Sequence, residues 1–430
     1  MTTPSSDALL QRRYQTLGEY SPLFYDEPLH FTSAQGTWLT TAEGDRYLDG
    51  YNNVPQVGHC NPRIVEAVAA QMGTYNVHSR YLNDVSVEYA EELLATFDES
   101  LDRVYFTNSG SEANDLALRI ARKFTGNRGV IVTDFSYHGN TTALAELTTG
   151  LAVSEARPDY IGTITIPDLD FADGAAESDL RQQALEQVDA VIEELEAAGH
   201  GLAAILFDPV FSTEGLPRLP EGYIDGLLQR VRAAGGVVIA DEVQAGLGRL
   251  GAYWWGHQSM GIVPDLATLG KPLGNGFPLG GVVTRAELMD SFSSENMYFN
   301  TFGGSPAASA AGRAVLAEVR ERDLLAHSAK LGEVIKRRLQ EIANRHPEIA
   351  VAKGTGLFFG LALLDAEKNP DPHLAKAVVE GMVRQNILIS KIGPADNILK
   401  IRPPLVITEE EVDLLLTTLE RVLDAALAQD

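Results

Sequence analysis

The chain alternates between short unbroken apolar runs and longer stretches in which apolar residues recur at helical spacing. The unbroken runs show little internal alternation, which is typical of parallel strands that are covered on both faces. We predict strands at residues 103–107, 129–134, 202–208, 236–240 and 266–270. Because open α/β sheets bind ligands at the carboxyl ends of their strands, the residues that follow these runs are the first candidates for function.

Local signals place further elements around these strands. Asn61 and Pro62 supply an N-cap and a first-turn proline for a helix that continues to Met72. The alternation over residues 31–48, with a turn at Gly44, predicts a small antiparallel meander. Helical patterns are present at residues 87–97, 175–199, 307–319, 325–344 and 409–427.

The segment after the strand at residues 103–107 predicts an anion site. Ser109 and Glu112 have the spacing of a capping box at the start of a helix. The amides of Gly110 and Ser111 then lie in the first turn, where the helix dipole helps them to hold a phosphate dianion. The apolar face of this helix is formed by Ala113, Leu116, Ala117, Ile120 and Phe124.

A carboxylate and a lysine, both candidates for catalysis, follow two of the later strands. Asp241 follows the run at 236–240, and Lys271 follows the run at 266–270 on a loop stiffened by Pro272. Alone, the aspartate would be a cap or an ion pair, and the lysine a solvated loop residue. Together they suit pyridoxal phosphate, because a lysine holds its aldehyde as a Schiff base and a carboxylate keeps its pyridine nitrogen protonated. No metal site is predicted.

The sequence around these residues resembles a known family. ADEVQAGLGR and LGKPLGNGFPLGG are similar to segments of the class III aminotransferases, which are fold-type I pyridoxal-phosphate enzymes. The resemblance covers nearly the whole chain and implies an α/β fold, with a three-layer major domain on a mostly parallel sheet and a smaller α+β domain. The expected divisions are an arm and part of the minor domain at 1–64, the cofactor-binding major domain at 65–310, and the rest of the minor domain at 311–430.

The same resemblance implies further cofactor contacts. Tyr137 corresponds to an aromatic residue that stacks on the cofactor ring, and Val243 is expected to be a further cofactor-binding residue. His138 is either a second ring contact or a core histidine. Thr301 corresponds to a threonine that reaches the cofactor phosphate of the neighbouring subunit, which implies a homodimer with shared active sites and leaves a tetramer open. Residues 1–20 are either an arm across that subunit or a loosely ordered terminus.

Substrate contacts are expected from three more positions. Asn52 and Asn53 correspond to substrate-contacting residues, and the amino-acid sequence of this segment resembles the phospho-lyase branch of the family. Arg80 lies in a loop that borders the active site in relatives, although an isolated arginine is more often a surface ion pair. His59 and Cys60 are interpreted as packing residues.

The chain departs from typical ω-aminotransferases at a coupled pair of positions. In those relatives a loop glutamate pairs with an arginine near the C-terminus that binds the carboxylate of the keto-acid acceptor. Thr213 aligns with the glutamate, with Glu214 as the alternative, and Lys400 aligns with the arginine. A lysine makes a point-charge contact, which suits a phosphate better than it replaces the bidentate contact between an arginine and a carboxylate. Arg402, two residues on, faces the same side of the strand, unless both cations decorate a solvated edge.

These observations favour a phospho-lyase that acts on O-phosphoethanolamine or a similar amino-phosphate. Lys271 removes a proton from the carbon that bears nitrogen, and phosphate leaves from the next carbon, so that acetaldehyde and ammonia follow. Lys400 and Arg80 are the first candidates for the phosphate contacts, with Arg402 and Asn53 behind them. The alternative is an ω-amino-acid or amine transaminase that uses pyruvate, and a catalytically silent binding protein is a third hypothesis.

The charge and the cysteine content limit the partners and the compartment that we expect for the protein. The 430 residues carry a formal charge of −25 and a pI near 4.7, which argues against nucleic acid or an anionic membrane surface as a partner. The expected ligand is a small anionic amine bound by locally placed cations. Cys60 is the one cysteine, and the first residues lack the apolar stretch of a secretory signal, so a cytoplasmic location is expected.

Overall fold

The computed structural model describes residues 6–52, 54–172, 174–346 and 350–428. Its strands belong to three sheets. In chain order they are β1 (Phe31–Gln35), β2 (Trp38–Thr41), β3 (Arg46–Asp49), β4 (Arg103–Thr107), β5 (Gly129–Thr133), β6 (Ile161–Ile164), β7 (Leu202–Phe207), β8 (Val237–Asp241), β9 (Leu266–Leu269), β10 (Gly280–Thr284), β11 (Ala350–Thr355), β12 (Phe358–Leu363), β13 (Ile387–Leu388), β14 (Ser390–Ile392) and β15 (Ile398–Ile401).

The helices of the described part cover the sheets and join the strands. They are α1 (Ser6–Leu17), α2 (Pro62–Met72), α3 (Asp84–Leu94), α4 (Gly110–Thr125), α5 (Thr142–Ala145), α6 (Glu177–Ala197), α7 (Tyr223–Ala233), α8 (Glu242–Ala245), α9 (Gly256–Ser259), α10 (Ala286–Ser293), α11 (Pro306–Glu321), α12 (Leu324–Arg345), α13 (Pro372–Arg384) and α14 (Glu409–Leu427). No helix among the described residues is long and apolar enough to cross a membrane.

The central sheet has seven strands in the order β4-β10-β9-β8-β7-β5-β6. Only β10 runs antiparallel to its neighbours within it, so the sheet is mostly parallel, as predicted. In β5, Val130 and Val132 pack on the α4 side, whereas Ile131 packs on the side of α6 and α7. Both faces are therefore buried, which explains the unbroken apolar runs.

The register between two strands brings Asp241 and Lys271 close together. β8 and β9 are parallel neighbours, and Asp241 at the end of β8 pairs with Thr268 near the end of β9. The chain leaves β9 at Leu269 and reaches Lys271 two residues later. The carboxylate and the lysine thus lie at one edge of the sheet, where the first turn of α4 also begins.

Two smaller sheets form the rest of the fold. The predicted meander is confirmed as β1, β2 and β3, and β13 joins it parallel to β3. The other sheet has the antiparallel order β11-β12-β15-β14. β15 contains Lys400, one of the predicted substrate contacts, opposite Gly360 of β12. Leu399 and Ile401 of β15 belong to a core cluster shared with α12, α13 and α14.

Two local predictions differ from the structure in detail. The helix predicted at 87–97 is α3 and starts earlier, because the Asn83 side chain caps it by accepting from the Ser86 amide. The capping box at the start of α4 is half right. Ser109 accepts from the Glu112 amide, but the Glu112 carboxylate accepts from the Asn108 amide instead of from Ser109. The expected domain division at 310 falls inside α11, and the division itself stays a prediction.

Candidate active site

A cavity of about 370 Å³ opens at the carboxyl ends of β8 and β9. Its lining includes residues from the start of α4, the segment after β5, the short helix α8 and the turn after β9. The predicted cofactor residues that line it are Gly110, Ser111, Tyr137, His138, Asp241, Val243 and Lys271. Chain segments more than 150 residues apart therefore meet at this one place.

Lys271 enters the cavity from a strained turn. Its φ of 30° lies in the left-handed region, which side chains other than glycine rarely adopt, and it starts the 3₁₀ turn Lys271–Gly274. The side chain keeps accessible surface, and that surface faces the cavity. Desolvation by the surrounding protein, followed by the charge of Arg402, lowers the pKa of Lys271 to about 8. A lysine amine is thus available in its neutral, nucleophilic form near physiological pH.

Asp241 is buried and fully engaged. One oxygen accepts from the Val243 amide at 3.1 Å, and the other contacts His138 Nδ1 at 2.8 Å and Asn114 Nδ2 at 2.9 Å. Asn114 is itself fixed by the Thr268 hydroxyl, which donates to its Oδ1 at 2.6 Å. The carboxylate therefore has one orientation, set directly by groups from α4, α8 and the segment after β5, and through Asn114 by Thr268 of β9.

The turn before α4 is a close-fitting cradle. A Cβ added to Gly110 would lie 2.8 Å from Val243 Cγ2, and one added to Gly270 would lie 2.7 Å from the Gly110 nitrogen. Gly139 has a φ of 145°, and a Cβ there would lie 2.7 Å from the Ser111 hydroxyl. Larger residues at these glycines would displace the amides that the sequence predicts for anion binding.

Lys400 and Arg402 form a cationic pair beside Lys271. Both residues are buried, at 7% and 3% exposure, and both lie over the Phe358 ring, at 5.5 and 5.2 Å from its centroid. Burial, then the charges of Arg402 and Lys271, lower the pKa of Lys400 well below its ordinary value. Within the described part of the chain, neither cation forms a salt bridge with a carboxylate.

Arg402 is oriented by contacts that the sequence did not predict. Its Nη1 donates to Gln244 Oε1, and its guanidinium lies 5.6 Å from the centroid of the Tyr51 ring. Its backbone amide donates to Gly50 O at 2.7 Å. Gln244 also lines the cavity, so it joins the cofactor side of the site to the substrate side.

The structure removes Glu214 as a partner for these cations. The Thr133 hydroxyl donates to the Glu214 carboxylate, which therefore points to β5 and not to Lys400 or Arg402. Burial raises the pKa of Glu214 to about 8, with the negative charge of Asp208 adding to the effect. The alternative in which Glu214 serves as the resting carboxylate is wrong.

Other expected substrate contacts are not brought to the cavity within one chain. Arg80 is exposed and lies 4.1 Å over the Phe299 ring, and Thr301 is exposed on the loop after that residue. Asn52 stabilises its own turn, since its backbone amide donates to Asp49 Oδ1 at 2.7 Å. Asn53 lies outside the described residues.

The two residues interpreted as packing have different environments. His59 is part-buried and contacts Asp49 through Nε2 at 2.7 Å, which agrees with a structural role. Cys60 is exposed and has a φ of 47°, so the packing interpretation is wrong for it. It forms the turn that leads into α2 and leaves its thiol at the surface.

The comparison with protein families decides the identity. The family model described as aminotransferase class-III matches residues 23–423. The chain belongs to the class-III aminotransferase family. This membership confirms the resemblance, the fold-type I architecture and the pyridoxal phosphate that the sequence predicted.

Individual relatives extend over nearly all of the chain. The ethanolamine-phosphate phospho-lyase homolog 1 of Caenorhabditis elegans is 36% identical over 440 residues, covering 97% of this chain and 94% of the relative. An alanine–glyoxylate aminotransferase 2-like protein of Drosophila melanogaster is 36% identical over 437 residues, covering 99% and 88%. A solved Arthrobacter phospholyase in complex with phosphoethanolamine is 54% identical, with a TM-score of 0.94 and coverage of 97% and 99%.

The cavity of this class-III aminotransferase fits pyridoxal phosphate in its chemistry. The amides at Gly110 and Ser111 suit the phosphate dianion, and the Lys271 amine suits the aldehyde. Asp241 suits the pyridine nitrogen, and Tyr137, 39% exposed, offers an aromatic face to the ring. His138 is buried, contacts Asp241 and also lines the cavity, so its position agrees with both predicted alternatives, a core histidine and a ring contact.

Sequence reasoning missed Asn114 and Gln244. Asn114 had a signal, because it stands three, four and seven residues before Ala117, Leu118 and Ala121 on a stripe that is buried. A polar residue within a buried helical stripe needs a partner, and Asp241 is that partner. Gln244 had no comparable signal, since its contact with Arg402 joins residues 158 positions apart.

Proposed function

We propose that this class-III aminotransferase is a pyridoxal-phosphate-dependent phospho-lyase that acts on O-phosphoethanolamine. The observation that carries the proposal is the buried pair Lys400 and Arg402 beside Lys271, without a carboxylate ion pair among the described residues. The phospholyase solved with phosphoethanolamine, at 54% identity, and the named Caenorhabditis elegans homolog support it.

The electrostatics of the pair favour a dianion. Two buried cations repel each other, and each raises the free energy of keeping the other charged. A phosphate placed between them would relieve that repulsion and would accept hydrogen bonds from both head groups. Lys400 is a compact charge without a planar fork, so it suits a tetrahedral phosphate better than a planar carboxylate.

The residues of the chain divide the chemistry between them. When bound, pyridoxal phosphate supplies an electron sink for the carbon that carries the substrate nitrogen. Lys271, with its lowered pKa, takes the proton from that carbon, and Asp241 keeps the positive charge on the cofactor nitrogen. Lys400 and Arg402 stabilise the phosphate as the neighbouring C–O bond breaks and the bonding pair leaves with it. With one water the products are acetaldehyde, ammonia and inorganic phosphate.

Transamination is the second candidate, and one observation favours it. Arg402 is present in the site and, with its Nη1 on Gln244, could receive the carboxylate of a keto acid. The Drosophila relative carries an aminotransferase name. The absence of a glutamate that pairs with it in the described site argues against the usual carboxylate switch.

The proposal includes a homodimer. Several apolar side chains near Thr301 and Arg80 are strongly exposed, namely Leu82 at 100%, Met297 at 91%, Phe302 at 69% and Tyr81 at 60%. A second copy of the chain would cover them and could bring Thr301 and Arg80 to its active site. Sedimentation of the holoenzyme tests this, and a monomer would contradict it. A cytoplasmic location stays the expectation from composition.

The deciding experiment uses holoenzyme and O-phosphoethanolamine without any keto acid. We expect equal amounts of phosphate and ammonia over many turnovers, since elimination returns the cofactor to its starting form. A transaminase without an acceptor would stop after one equivalent per site. Steady alanine formation from pyruvate and an amine donor, with no phosphate release, would refute the lyase.

A further inference from the structure

Arg249 is a buried cation that the chemistry above does not use. Its side chain has no exposed surface, and it is the largest fully buried side chain of the described residues. Nη1 donates to Leu357 O at 3.0 Å and to Pro403 O, and Nη2 donates to Gln56 Oε1 at 2.7 Å. Among the described residues no carboxylate forms a salt bridge with it.

The three acceptors lie on three segments that build the substrate side of the site. Pro403 directly follows Arg402, and Leu357 directly precedes Phe358, whose ring lies under Lys400 and Arg402. Gln56 belongs to the loop in which Gly50 O accepts the Arg402 amide and Val54 lines the cavity. One guanidinium therefore connects all three walls around the cationic pair.

Backbone contacts strengthen each connection. The Leu357 amide donates to Arg249 O at 2.9 Å, and the Leu405 amide donates to Gln56 O at 2.8 Å. Gly356 packs so closely that a Cβ on it would lie 2.6 Å from Arg249 O. Gln56 Nε2 donates in turn to Leu247 O at 2.8 Å. The positions of Phe358 and Arg402 are thus set relative to one side chain.

Retention of a charge at this place is unfavourable in itself. Burial, then repulsion from Arg402, lower the pKa of Arg249 well below its ordinary value. A buried charge without an ionic partner destabilises a fold unless its donors are satisfied. The guanidinium reaches acceptors on three segments from two separate nitrogens in a fixed plane, whereas a lysine has a single nitrogen and an apolar side chain has no donor.

We propose that Arg249 is a positioning residue for the substrate anion site, because it fixes Arg402 and the Phe358 ring in the geometry that receives phosphate. This inference rests on the proposed function in that phosphate is taken as the anion. It assigns Arg249 no contact with substrate or cofactor.

The test compares the Arg249→Lys holoenzyme with wild type by titration with inorganic phosphate and by steady-state kinetics with O-phosphoethanolamine. Breaking the fork leaves buried acceptors without donors, so we expect phosphate affinity to fall about tenfold or more. KM should rise by a similar factor, while kcat changes less than threefold. Cofactor affinity and visible absorbance should stay as in wild type.

A destabilised control separates positioning from a general loss of structure. Ile342→Ala removes a buried side chain of α12 in the minor core, away from the cavity. It should lower the melting temperature and leave KM and phosphate affinity unchanged. If Arg249→Lys does not fold, Gln56→Met removes one acceptor of the Arg249 guanidinium, together with the Gln56 donor to Leu247 O, and should weaken phosphate binding about threefold.

The outcomes distinguish the inference from the proposed function. Phosphate affinity and KM that match wild type in the folded variants refute the positioning role and leave the lyase intact. Equal reductions in phosphate and cofactor binding, shared by Ile342→Ala, refute it as well. A wild-type holoenzyme that neither binds phosphate nor releases it from O-phosphoethanolamine refutes the anion site, and with it both proposals.

Discussion

The cofactor side of this site, around Asp241, and the substrate side, around Lys400 and Arg402, differ in how many partners their buried charges have. Asp241 has both oxygens occupied, by an amide, an asparagine and a histidine. Lys400 and Arg402 are as deeply buried and both lie over an aromatic ring, and Arg402 also donates to an amide oxygen. The negative charge of Asp208 acts on both cations, but within the described chain neither forms a salt bridge with a carboxylate. Arg402 Nε is buried without a hydrogen-bond partner.

This difference separates a permanent function from a transient one. A cofactor that stays bound is served by a charge held in one orientation, whereas an anion that enters and leaves needs cations that are not already neutralised. An uncompensated buried charge lowers the stability of the fold. The protein therefore keeps a locally destabilising arrangement on the substrate side, and a phosphate would satisfy it during each turnover.

Removing the charge on the cofactor side should have the largest effect. Asp241→Asn keeps the size of the side chain but cannot hold a proton on the pyridine nitrogen. We expect kcat/KM to fall by roughly 10²–10³, with weaker cofactor retention, measured by steady-state kinetics and visible absorbance. Asp265→Asn, at the opposite end of β9, is the control that should keep kcat. Activity within a few-fold of wild type would show that Asp241 is a structural cap.

Removing a charge on the substrate side should separate activity from stability. Lys400→Met deletes a buried cation that lacks a carboxylate partner, so the ligand-free protein should melt at a higher temperature. Because the substrate phosphate then binds to one cation fewer, kcat/KM should fall roughly 10-fold to 150-fold, which corresponds to about 1.5–3 kcal/mol of lost transition-state stabilisation. Kinetics and calorimetry on one preparation measure both.

Lys353→Met is the matched control for that exchange. Lys353 is also a buried lysine, but its Nζ contacts Asp168 at 2.6 Å and Asp170 at 3.0 Å. Its removal leaves Asp168 without a salt-bridge partner and Asp170 with Arg218 alone, so stability should fall while kcat/KM holds. Lys400→Met that melts lower, or that keeps full activity, would contradict the contrast between the two sides.

The cofactor side was also the part that sequence could predict. Asp241 and Lys271 each end a local apolar run, and the cradle at Gly110 follows a strand directly, so neighbouring residues carried the signal. The substrate side depends on pairings across the chain, such as Arg249 with Pro403 at 154 positions apart. No local pattern marks such a contact, and Lys400 was found through alignment with a family and not through its surroundings.

Even local rules failed where a distant group competed. The Glu112 carboxylate left the expected capping box because Asn300, 188 positions away, donates to it at 2.8 Å. Asn300 Oδ1 in turn accepts from Asn108 at 2.9 Å. Glu112 therefore serves a network between α4 and the loop before α11. Capping spacing predicts which amides are available, and tertiary neighbours decide which carboxylate takes them.

The lowered pKa of Lys271 gives the comparison a pH test. Only the neutral amine attacks an aldehyde, so the rate at which apoenzyme takes up pyridoxal phosphate should rise about tenfold per pH unit and level off near pH 8. Stopped-flow absorbance measures it. Arg402→Met removes a repelling charge, raises the pKa of Lys271, and should move the plateau to higher pH. A rate that is independent of pH from 6 to about 9 would contradict this.

The smallest expected effect comes from Glu214, whose carboxyl group contacts Thr133 and belongs neither to the cofactor side nor to the substrate side. Because the pKa of Glu214 is raised to about 8 in the fold, the folded state holds a proton that the unfolded chain has released above its ordinary pKa of 4.5. Stability contributed by this group is therefore full below pH 4.5 and is lost as the pH rises to about 8. Glu214→Gln removes the titration and keeps an acceptor for Thr133, so its melting temperature should exceed that of wild type by on the order of 1–2 °C above pH 8, with no gap near pH 4. An exposed exchange, Glu193→Gln, corrects for the loss of one negative charge from a chain of net charge −25. A gap that does not grow with pH would contradict the raised pKa of the Glu214 carboxyl.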